Sequence, residues 1–252
     1  MAETTGTRPI WIDLAANDVA TAGSFYTGLF GWEVNVSPDP QYGGYARALA
    51  RGADVAGIGP KMMPGQPSAW SVYFGASDEA TLAAAVAAAG GTVVVPPMEI
   101  GDQGHMAIFA DPAGAFFGAW QPETMVGFNA EGSGTFGWAE LNSRGIDVAL
   151  PFYTTLFGWG THASDMPDGS KYTEFQVDGK SVAGATVMSA MVPAQVPSYW
   201  LVYFEVDDVD AAFAKVLELG GSQMLSPMDF PGGRFGIVAD PEGAAFGLLH
   251  SA

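Results

Sequence analysis

Two acidic residues, Asp13 and Glu140, have the type and sequence context that general acid–base chemistry requires. Each lies in the pattern Trp-x-Asp/Glu-Leu, and the alternation of a β-strand would place each carboxylate on the same face as Trp11 or Trp138. A carboxylate in an apolar cleft tends towards a raised pKa, which suits a general acid or base. The alternative is structural, because buried polar groups commonly accept hydrogen bonds from neighbouring N–H groups.

Aromatic residues supply candidate ligand-binding positions. Tyrosines recur at matching places in the two halves of the chain, and such rings could stack on a planar ligand or pack between a sheet and a helix. The residues predicted to line a cleft are Trp11, Tyr45, Tyr73, Trp120, Trp138, Tyr172 and Tyr203. Trp32 and Trp159, which follow the first helix of each half, are predicted to belong to the core.

Other catalytic systems find little support in the sequence. There is no cysteine, which excludes disulfides and thiolate chemistry, and no Gly-x-Ser-x-Gly, Walker or Rossmann glycine pattern occurs. The three histidines, His105, His162 and His250, are scattered and do not recur at matching positions; His105 aligns with Arg234. We therefore interpret them as solvated or hydrogen-bonded side chains.

An internal repeat organises the chain. Three segments recur in the same order: Phe25–Trp32 as Phe152–Trp159, Pro67–Phe74 as Pro197–Phe204, and Asp111–Gly118 as Asp240–Gly247. The nearly constant offset indicates a duplication. We predict a first domain at 1–125, a linker at 126–134 that is rich in Gly and polar residues, and a second domain at 135–252.

Within the first copy, the pattern predicts two β-α-β-β-β modules. The first comprises strands at Ile10–Ala15, Trp32–Val36, Tyr45–Ala50 and Val55–Gly59, with a helix capped by Asn17 or Asp18 and ending at Gly31. The second comprises strands at Trp70–Ala76, Thr92–Val95, His105–Ala110 and Ala115–Trp120, with an Ala-rich helix beginning near Ser77 or Asp78. The predicted fold class is α+β, with four such modules in the chain.

These features resemble the vicinal oxygen chelate superfamily, which includes glyoxalases, bleomycin-resistance proteins and dioxygenases. The resemblance rests on a first helix that ends in Phe-Tyr-x-x-Leu-Phe-Gly-Trp and on Asp-Pro-x-Gly before the last strand, and it covers both copies. It implies two tandem glyoxalase/bleomycin-resistance-type domains of actinobacterial type, with curved mixed sheets and outer helices. Fold carries over in such comparisons better than reaction does.

The resemblance also implies a divalent metal held by His or Gln, His and Glu. The corresponding positions are occupied by Trp11 and Trp138, Ser71 and Leu201, and Gly118 and Gly247. None of these side chains is a suitable ligand, and neither closing strand offers a carboxylate. We therefore expect no metal and no other cofactor.

Composition limits the partners. The chain has 252 residues, 27 acidic against 9 basic side chains, and a formal net charge of −18. Such charge disfavours binding to nucleic acid, and no apolar run is long enough to span a membrane. The N-terminus lacks the apolar stretch of a signal peptide, so we expect a cytoplasmic protein.

Three functional hypotheses follow. The first is a metal-independent binder of a small apolar or aromatic molecule. The second is an enzyme of the lyase, isomerase or hydroxylase/dioxygenase type, which uses Asp13 and Glu140 or a non-standard metal site. The third is an interaction protein without catalysis. Either a monomer or a homodimer is compatible with a duplicated chain.

Overall fold

The computed structural model describes residues 7–63, 65–166 and 169–251, so the first six residues, considered above for a leader, lie outside it. The first copy contains β1 (Pro9–Ala16), α1 (Val19–Phe30), β2 (Glu33–Val36), β3 (Ala46–Ala50), β4 (Ala53–Pro60), β5 (Ala69–Gly75), α2 (Glu79–Ala88), β6 (Thr92–Glu99), β7 (Gly104–Ala110) and β8 (Phe116–Pro122). The second copy contains β9 (Thr135–Ser143), α3 (Ile146–Phe157), β10 (Gly160–Asp165), β11 (Lys171–Val177), β12 (Lys180–Val187), β13 (Tyr199–Glu205), α4 (Val209–Glu218), β14 (Ser222–Phe230), β15 (Gly233–Ala239) and β16 (Ala245–Ser251).

The strands form two mixed sheets of eight, one from each copy. The strand orders are β2-β3-β4-β1-β5-β8-β7-β6 and β10-β11-β12-β9-β13-β16-β15-β14. Within each module the first and last strands pair in parallel, and the remaining neighbours pair antiparallel. The predicted α+β class and the four β-α-β-β-β modules are therefore confirmed. No helix among the described residues is long and apolar enough to cross a membrane.

Local sequence signals explain the elements. Asp18 caps α1 by accepting a hydrogen bond from the Thr21 N–H, and Gly31 ends the helix in the left-handed conformation. The hairpin between β3 and β4 turns through Arg51 and Gly52, both with positive φ, as the corresponding turn in the second copy does. Positive φ at both central residues is the geometry that two-residue hairpins favour.

The compact units of the structure divide the chain differently from the sequence copies. The first unit comprises Met1–Ile10, Val72–Val126 and Ala139–Trp200, and the second comprises Trp11–Ser71, Gly127–Trp138 and Leu201–Ala252. Each unit thus combines a first module from one copy with a second module from the other. The boundaries 1–125, 126–134 and 135–252 describe the copies and remain a prediction for the domains.

Aromatic side chains form the core of each unit. Their ring centroids lie 4.9–6.5 Å apart in the second unit, where Phe25, Tyr26, Phe30, Trp32, Trp70, Phe204 and Phe246 meet. They lie 4.8–6.3 Å apart in the first, where Phe74, Phe117, Tyr153, Phe157, Trp159, Phe175 and Trp200 meet. Trp32 and Trp159 are 1% and 4% exposed, which confirms that they belong to the core.

A buried hydrogen-bond chain crosses the core of the second unit. The Trp70 indole N–H donates to the Tyr26 hydroxyl (2.9 Å), which donates to Oδ2 of Asp240 (3.1 Å). The other oxygen of Asp240 accepts from the backbone N–H groups of Glu242 and Ala244 in the Asp-Pro-x-Gly turn. The tyrosine of one recurring motif is therefore bonded to the aspartate of another.

The first unit repeats this arrangement with looser geometry. The Trp200 indole N–H donates to the Tyr153 hydroxyl at 2.8 Å, and the charge of Asp111, after burial itself, contributes to a Tyr153 pKa well above its usual range. Oδ2 of Asp111 is nevertheless buried without a hydrogen bond to any of the described residues. The two units therefore differ in how well this carboxylate is satisfied.

Trp32 and Trp159, which follow the first helix of each copy, each form a hydrogen bond with the backbone just before the first strand of the other copy. The Trp32 indole N–H donates to the carbonyl of Gly134, just before β9, at 2.7 Å. The Trp159 indole N–H donates to the carbonyl of Thr7, just before β1, at 2.8 Å. The reciprocal bonds explain why these indoles are buried and still satisfied.

Replacing Tyr26 by Phe should destabilise the protein by about 1–3 kcal/mol, because Asp240 and the Trp70 N–H would each lose a buried partner. The free energy of unfolding is measured by urea denaturation, with Tyr42→Phe as the control outside this network. Tyr153→Phe should cost less, since the Asp111 oxygen already lacks a normal hydrogen bond. Equal stability of Tyr26→Phe and the parent would contradict the assigned network.

Stability should also depend on pH through these turn carboxylates. Burial raises the pKa of Asp111 and Asp240 above the usual 3.8, although backbone hydrogen bonds oppose the shift. Between 3.8 and the raised values the folded chain binds more protons than the unfolded chain, so this contribution grows as pH falls and is lost as pH rises. Urea midpoints from about pH 7 to about pH 4 should show a weaker pH dependence in the Asp111→Asn/Asp240→Asn variant.

Candidate functional site

The Asp13 carboxylate lies in a transverse row of the sheet. Arg47 on β3 pairs with Gly57 on β4, which pairs in turn with Asp13 on β1, so the three residues share one face. The neighbouring positions on the opposite face are fully buried and lie on the side of α1: Ile12, Leu14, Ala46, Ala48, Ala56 and Ile58. Asp13 therefore lies on the sheet face opposite α1. It shares this face with Trp11, as strand alternation predicted.

Two aromatic donors orient this carboxylate. The Tyr45 hydroxyl donates to Oδ1 of Asp13 at 2.6 Å. The Trp11 indole N–H is shared between the same oxygen, at 2.8 Å, and the tyrosine oxygen, at 3.0 Å. Trp11 is buried while Asp13 and Tyr45 are half-buried, so the polar triangle sits where an apolar wall meets a more open surface.

Gly57 makes room for the triangle. A Cβ at this position would lie 1.7 Å from the Tyr45 hydroxyl oxygen and 2.1 Å from Oδ1 of Asp13. Real Cβ atoms do not approach other heavy atoms so closely, so only glycine lets tyrosine and carboxylate meet above the strand. On the other side of Gly57, Arg47 forms an ion pair with Asp54. The partner of its guanidinium is therefore Asp54.

The second copy places a related row in the first unit. Glu174 on β11, Gly184 on β12 and Glu140 on β9 are in register, and Oε1 of Glu140 accepts a hydrogen bond from Asn142 at 3.0 Å. Burial, followed by the charge of Glu140, raises the pKa of Tyr199, and Arg144 opposes the shift.

Other predicted residues of the second copy are placed as follows. Tyr172 is half-buried on β11, in register with Thr186, and Trp138 is half-buried on β9. The row next to them carries two carboxylates where the first copy carries Arg47 and Asp13. The two copies therefore present different charges on equivalent faces.

Tyrosine rings cover the closing strands of both copies. Tyr73 is in register with Gly118, and Tyr203 with Gly247. A Cβ on Gly118 would lie 2.2 Å from the Tyr73 ring, and a Cβ on Gly247 would lie 1.9 Å from the Tyr203 ring. Each ring thus lies flat against a backbone that has no side chain and occupies the space that any other residue would need.

Trp120 and two depressions on the surface lie outside the triangle of Trp11, Asp13 and Tyr45. The Trp120 indole is buried and donates to the Met125 carbonyl at 2.8 Å. One depression, of 410 Å³, is lined by Ala16, Asn17, Pro60, Lys61, Met62, Met63 and Gly65. Another, of 460 Å³, is lined by Ala89, Pro112, Asp147, Val148, Pro151, Phe152 and Thr155. Both are shallow, and neither is lined by a predicted site residue. The triangle of Trp11, Asp13 and Tyr45 is therefore the better candidate for a ligand site.

Comparison with protein families decides the relationship. Residues 8–117 match the glyoxalase/bleomycin resistance protein/dioxygenase superfamily, and residues 138–249 match a glyoxalase-like domain. The chain belongs to this superfamily. Its two copies are tandem glyoxalase domains, as the recurring motifs predicted.

Similar superfamily members span almost the whole chain. CFP32 of Mycobacterium tuberculosis, provisionally named a glyoxylase, is 38% identical over 97% of this chain and 95% of its own length. The anthracycline biosynthesis protein DnrV of Streptomyces peucetius is 37% identical over 96% of this chain and 92% of its own length. Both matches therefore extend over the two copies of this chain.

Solved structures support the fold. A Mn(II)-bound glyoxalase of Novosphingobium aromaticivorans has a TM-score of 0.66 at 17% identity, covering 96% of this chain and 82% of its own. The 2,3-dioxygenase LapB of Pseudomonas sp. KL28 has a TM-score of 0.65 at 16% identity, covering 99% of this chain and 94% of its own. At such low identity these likenesses establish architecture and carry no reaction.

A divalent metal, which the superfamily implies, does not fit the side chains present. The Trp11 indole is bonded within its own triangle, and the rings of Tyr73 and Tyr203 fill the space above Gly118 and Gly247. The described residues contain no group of three His, Cys, Asp or Glu that could hold a metal ion. Within the described part of the chain, too few donors converge to complete a first coordination shell.

The sequence analysis named the acidic and aromatic residues, and named Gly118 and Gly247 only as positions without a metal ligand, but it missed Gly57 and Gly184. Gly57 and Gly184 recur beside Asp13 and Glu140, and Gly118 and Gly247 recur beneath the tyrosines. Their recurrence was a usable signal. The role of each glycine depends on which aromatic ring lies over it from the neighbouring strand. Only the pairing register of the strands shows this.

Substituting Gly247 by Ala should destabilise the protein by about 1–3 kcal/mol, because the Tyr203 ring must move out of its place against the strand. Gly118→Ala should behave alike through Tyr73. Gly160→Ala is the matched control, since its new Cβ would meet no atom closer than 3.8 Å. Urea denaturation measures the effect, and a Gly247→Ala chain as stable as the control would disprove the close approach.

Proposed function

We propose that the protein binds a small apolar or aromatic molecule against the sheet face that carries Asp13, without the divalent metal of its superfamily. The observation that carries the proposal is the triangle of Trp11, Asp13 and Tyr45. Ligand sites combine apolar walls with a few fixed polar groups that orient the ligand. Here the carboxylate is held by two donors before any ligand arrives.

The chemistry of the face favours a ligand that carries a hydroxyl or amine donor on an aromatic frame. An ionised carboxylate only accepts hydrogen bonds, and its two oxygens together have about four acceptor sites. The half-buried ring of Tyr45 supplies π surface for a planar frame. The relative DnrV is named an anthracycline biosynthesis protein, which supports a polycyclic aromatic ligand for this chain.

A second candidate function is metal-independent acid–base catalysis on such a molecule, in a lyase or isomerase reaction. It is favoured by the 2.6 Å hydrogen bond between the Tyr45 hydroxyl and Asp13, which places a proton donor and an acceptor side by side. Glu140 would serve in the second copy. We further propose a small-molecule partner, a cytoplasmic location and either a monomer or a homodimer.

The test is a titration of the full chain with an anthracycline and with a single-ring phenol, followed by calorimetry and by tryptophan fluorescence. Asp13→Asn should weaken binding about tenfold or more, as expected for loss of a hydrogen bond to a charged group. Tyr45→Phe should weaken it less, because it releases the carboxylate without removing it. Asp207→Asn, an exposed site in the same unit, is the matched control.

Three results distinguish the candidates. Binding that depends on Asp13 and leaves the ligand chemically unchanged, as judged by mass spectrometry, supports the binder. Conversion of the ligand that is lost in Asp13→Asn supports the enzyme. If neither compound binds the parent chain, or if Asp13→Asn binds like Asp207→Asn, the proposed site is wrong.

A further inference from the structure

Arg47 brings a positive charge to the sheet face that carries Asp13. Both residues are in register with Gly57, which lies on the strand between them. Neighbouring strands lie about 4.8 Å apart, so the Cα atoms of Arg47 and Asp13 are about 10 Å apart. The hydroxyl of Tyr45 lies over Gly57 between them. One transverse row therefore carries a cation at one end and an anion at the other.

The ion pair of Arg47 leaves one edge of its guanidinium open. Nε donates to Oδ1 of Asp54 at 3.0 Å, and Nη2 donates to Oδ2. A guanidinium has five N–H donors in a fixed fork, and no described residue accepts a hydrogen bond from Nη1 of Arg47. The side chain is 46% exposed. Asp54 therefore fixes the plane of the guanidinium, while the Nη1 edge is accessible to a further acceptor.

Arg234, in the same compact unit, shows how a second acceptor completes such an arrangement. Its Nε and Nη2 donate to Asp210 at 2.7 and 2.8 Å, as those of Arg47 donate to Asp54. Its Nη1 donates to a second carboxylate, that of Asp229, at 2.8 Å. One guanidinium of this chain thus binds two carboxylates, and the Nη1 edge of Arg47 fits a carboxylate that a ligand supplies.

The backbone holds Asp54 in place. Its N–H donates to Oδ1 of Asn129 at 2.9 Å, and the Asn129 N–H donates to the Asp54 carbonyl at 3.1 Å. Asn129 belongs to the segment that joins the two copies. The carboxylate that orients Arg47 is therefore itself fixed before a ligand arrives, which lowers the entropic cost of binding to the guanidinium.

The second copy forms the equivalent hairpin without this ion pair. Glu174 takes the position of Arg47, and Ser181 takes that of Asp54. The two-residue turn of each hairpin nevertheless has positive φ at both central residues. The fold of the hairpin therefore does not require the ion pair, which favours a role for Arg47 in binding.

The acidic character of the chain is compatible with an anionic ligand group at Arg47. The formal net charge is −18, but the Debye length at physiological ionic strength is about 8 Å, so more distant exposed carboxylates are largely screened. A carboxylate at the guanidinium forms charge-assisted hydrogen bonds, which are stronger than neutral ones. The contact with Arg47 therefore has more influence on affinity than the distant charges.

We propose that Arg47 recognises an acidic group of the ligand, so that the first copy binds an aromatic molecule with a carboxylate at one end and a hydroxyl at the other. The carboxylate accepts from Nη1 of Arg47, the frame lies against the Tyr45 ring, and the hydroxyl donates to Asp13. This inference rests on the proposed function, because Asp13 binds the hydroxyl end. The second copy, with Glu174 in place of Arg47, repels such an acid.

Calorimetric titration of the full chain with two probes tests the inference. One probe is a hydroxynaphthoic acid with its hydroxyl and carboxylate on different rings, and the other is the naphthol that lacks the carboxylate. Arg47→Gln should weaken binding of the acid about tenfold or more, as expected for loss of a hydrogen bond between charged groups, and leave binding of the naphthol unchanged. Asp13→Asn should weaken binding of both. Lys215→Gln, which removes the cation of an exposed ion pair on α4, is the matched control.

The outcomes separate this inference from the proposed function. If naphthol binding depends on Asp13 but the acid binds Arg47→Gln and Lys215→Gln equally well, the Asp13 site stands and the role of Arg47 is wrong. Equal weakening of both probes by Arg47→Gln also contradicts the role, since the loss would then not depend on the carboxylate. If neither probe binds the parent chain, both proposals fail. Arg47→Glu, which reproduces the charge of the second copy, should bind the acid more weakly than Arg47→Gln and still bind the naphthol.

Discussion

The hydrogen bond between Tyr26 and Asp240 is the constraint on which the rest of the structure depends. It joins residues 214 positions apart, from different sequence copies but from one compact unit, inside an aromatic core. Tyr153 and Asp111 are the corresponding residues in the other unit, although Oδ2 of Asp111 has no hydrogen bond to a described residue. Neither copy therefore completes its own core, and contacts of such sequence separation require much of the chain to be ordered before they form, which favours slow folding.

Local signals made most of the fold predictable. The cap at Asp18, the left-handed Gly31 and the Arg51-Gly52 turn each depend on a few adjacent residues, so the sequence specifies them directly. The composition of the compact units was not predictable in this way. Because the copies carry the same motifs, the pattern alone allows Tyr26 to meet the turn aspartate of either copy, and only the folded chain selects Asp240.

The sequence likewise predicted the local part of the candidate site and not the part that depends on strand pairing. Strand alternation placed Asp13 beside Trp11, and the structure brings both together with Tyr45. The meeting of Tyr45 with Asp13 depends on Gly57 of β4, the strand that lies between β3 and β1. Sequence spacing does not encode such transverse rows. The same limit applies to His105, whose two ion-pair partners are Glu79, at the start of α2, and Glu123, just after β8.

The tyrosine rings above Gly118 and Gly247 have a consequence for how this chain could change over time. A carboxylate at either glycine would collide with the ring unless the tyrosine on the adjacent strand were also replaced. Replacing the glycine alone crowds the core, and replacing the tyrosine alone leaves a cavity. Each single variant is therefore less stable than its parent. Placing a side-chain ligand on both closing strands thus requires four coordinated substitutions, which single mutational steps could reach only through less stable intermediates.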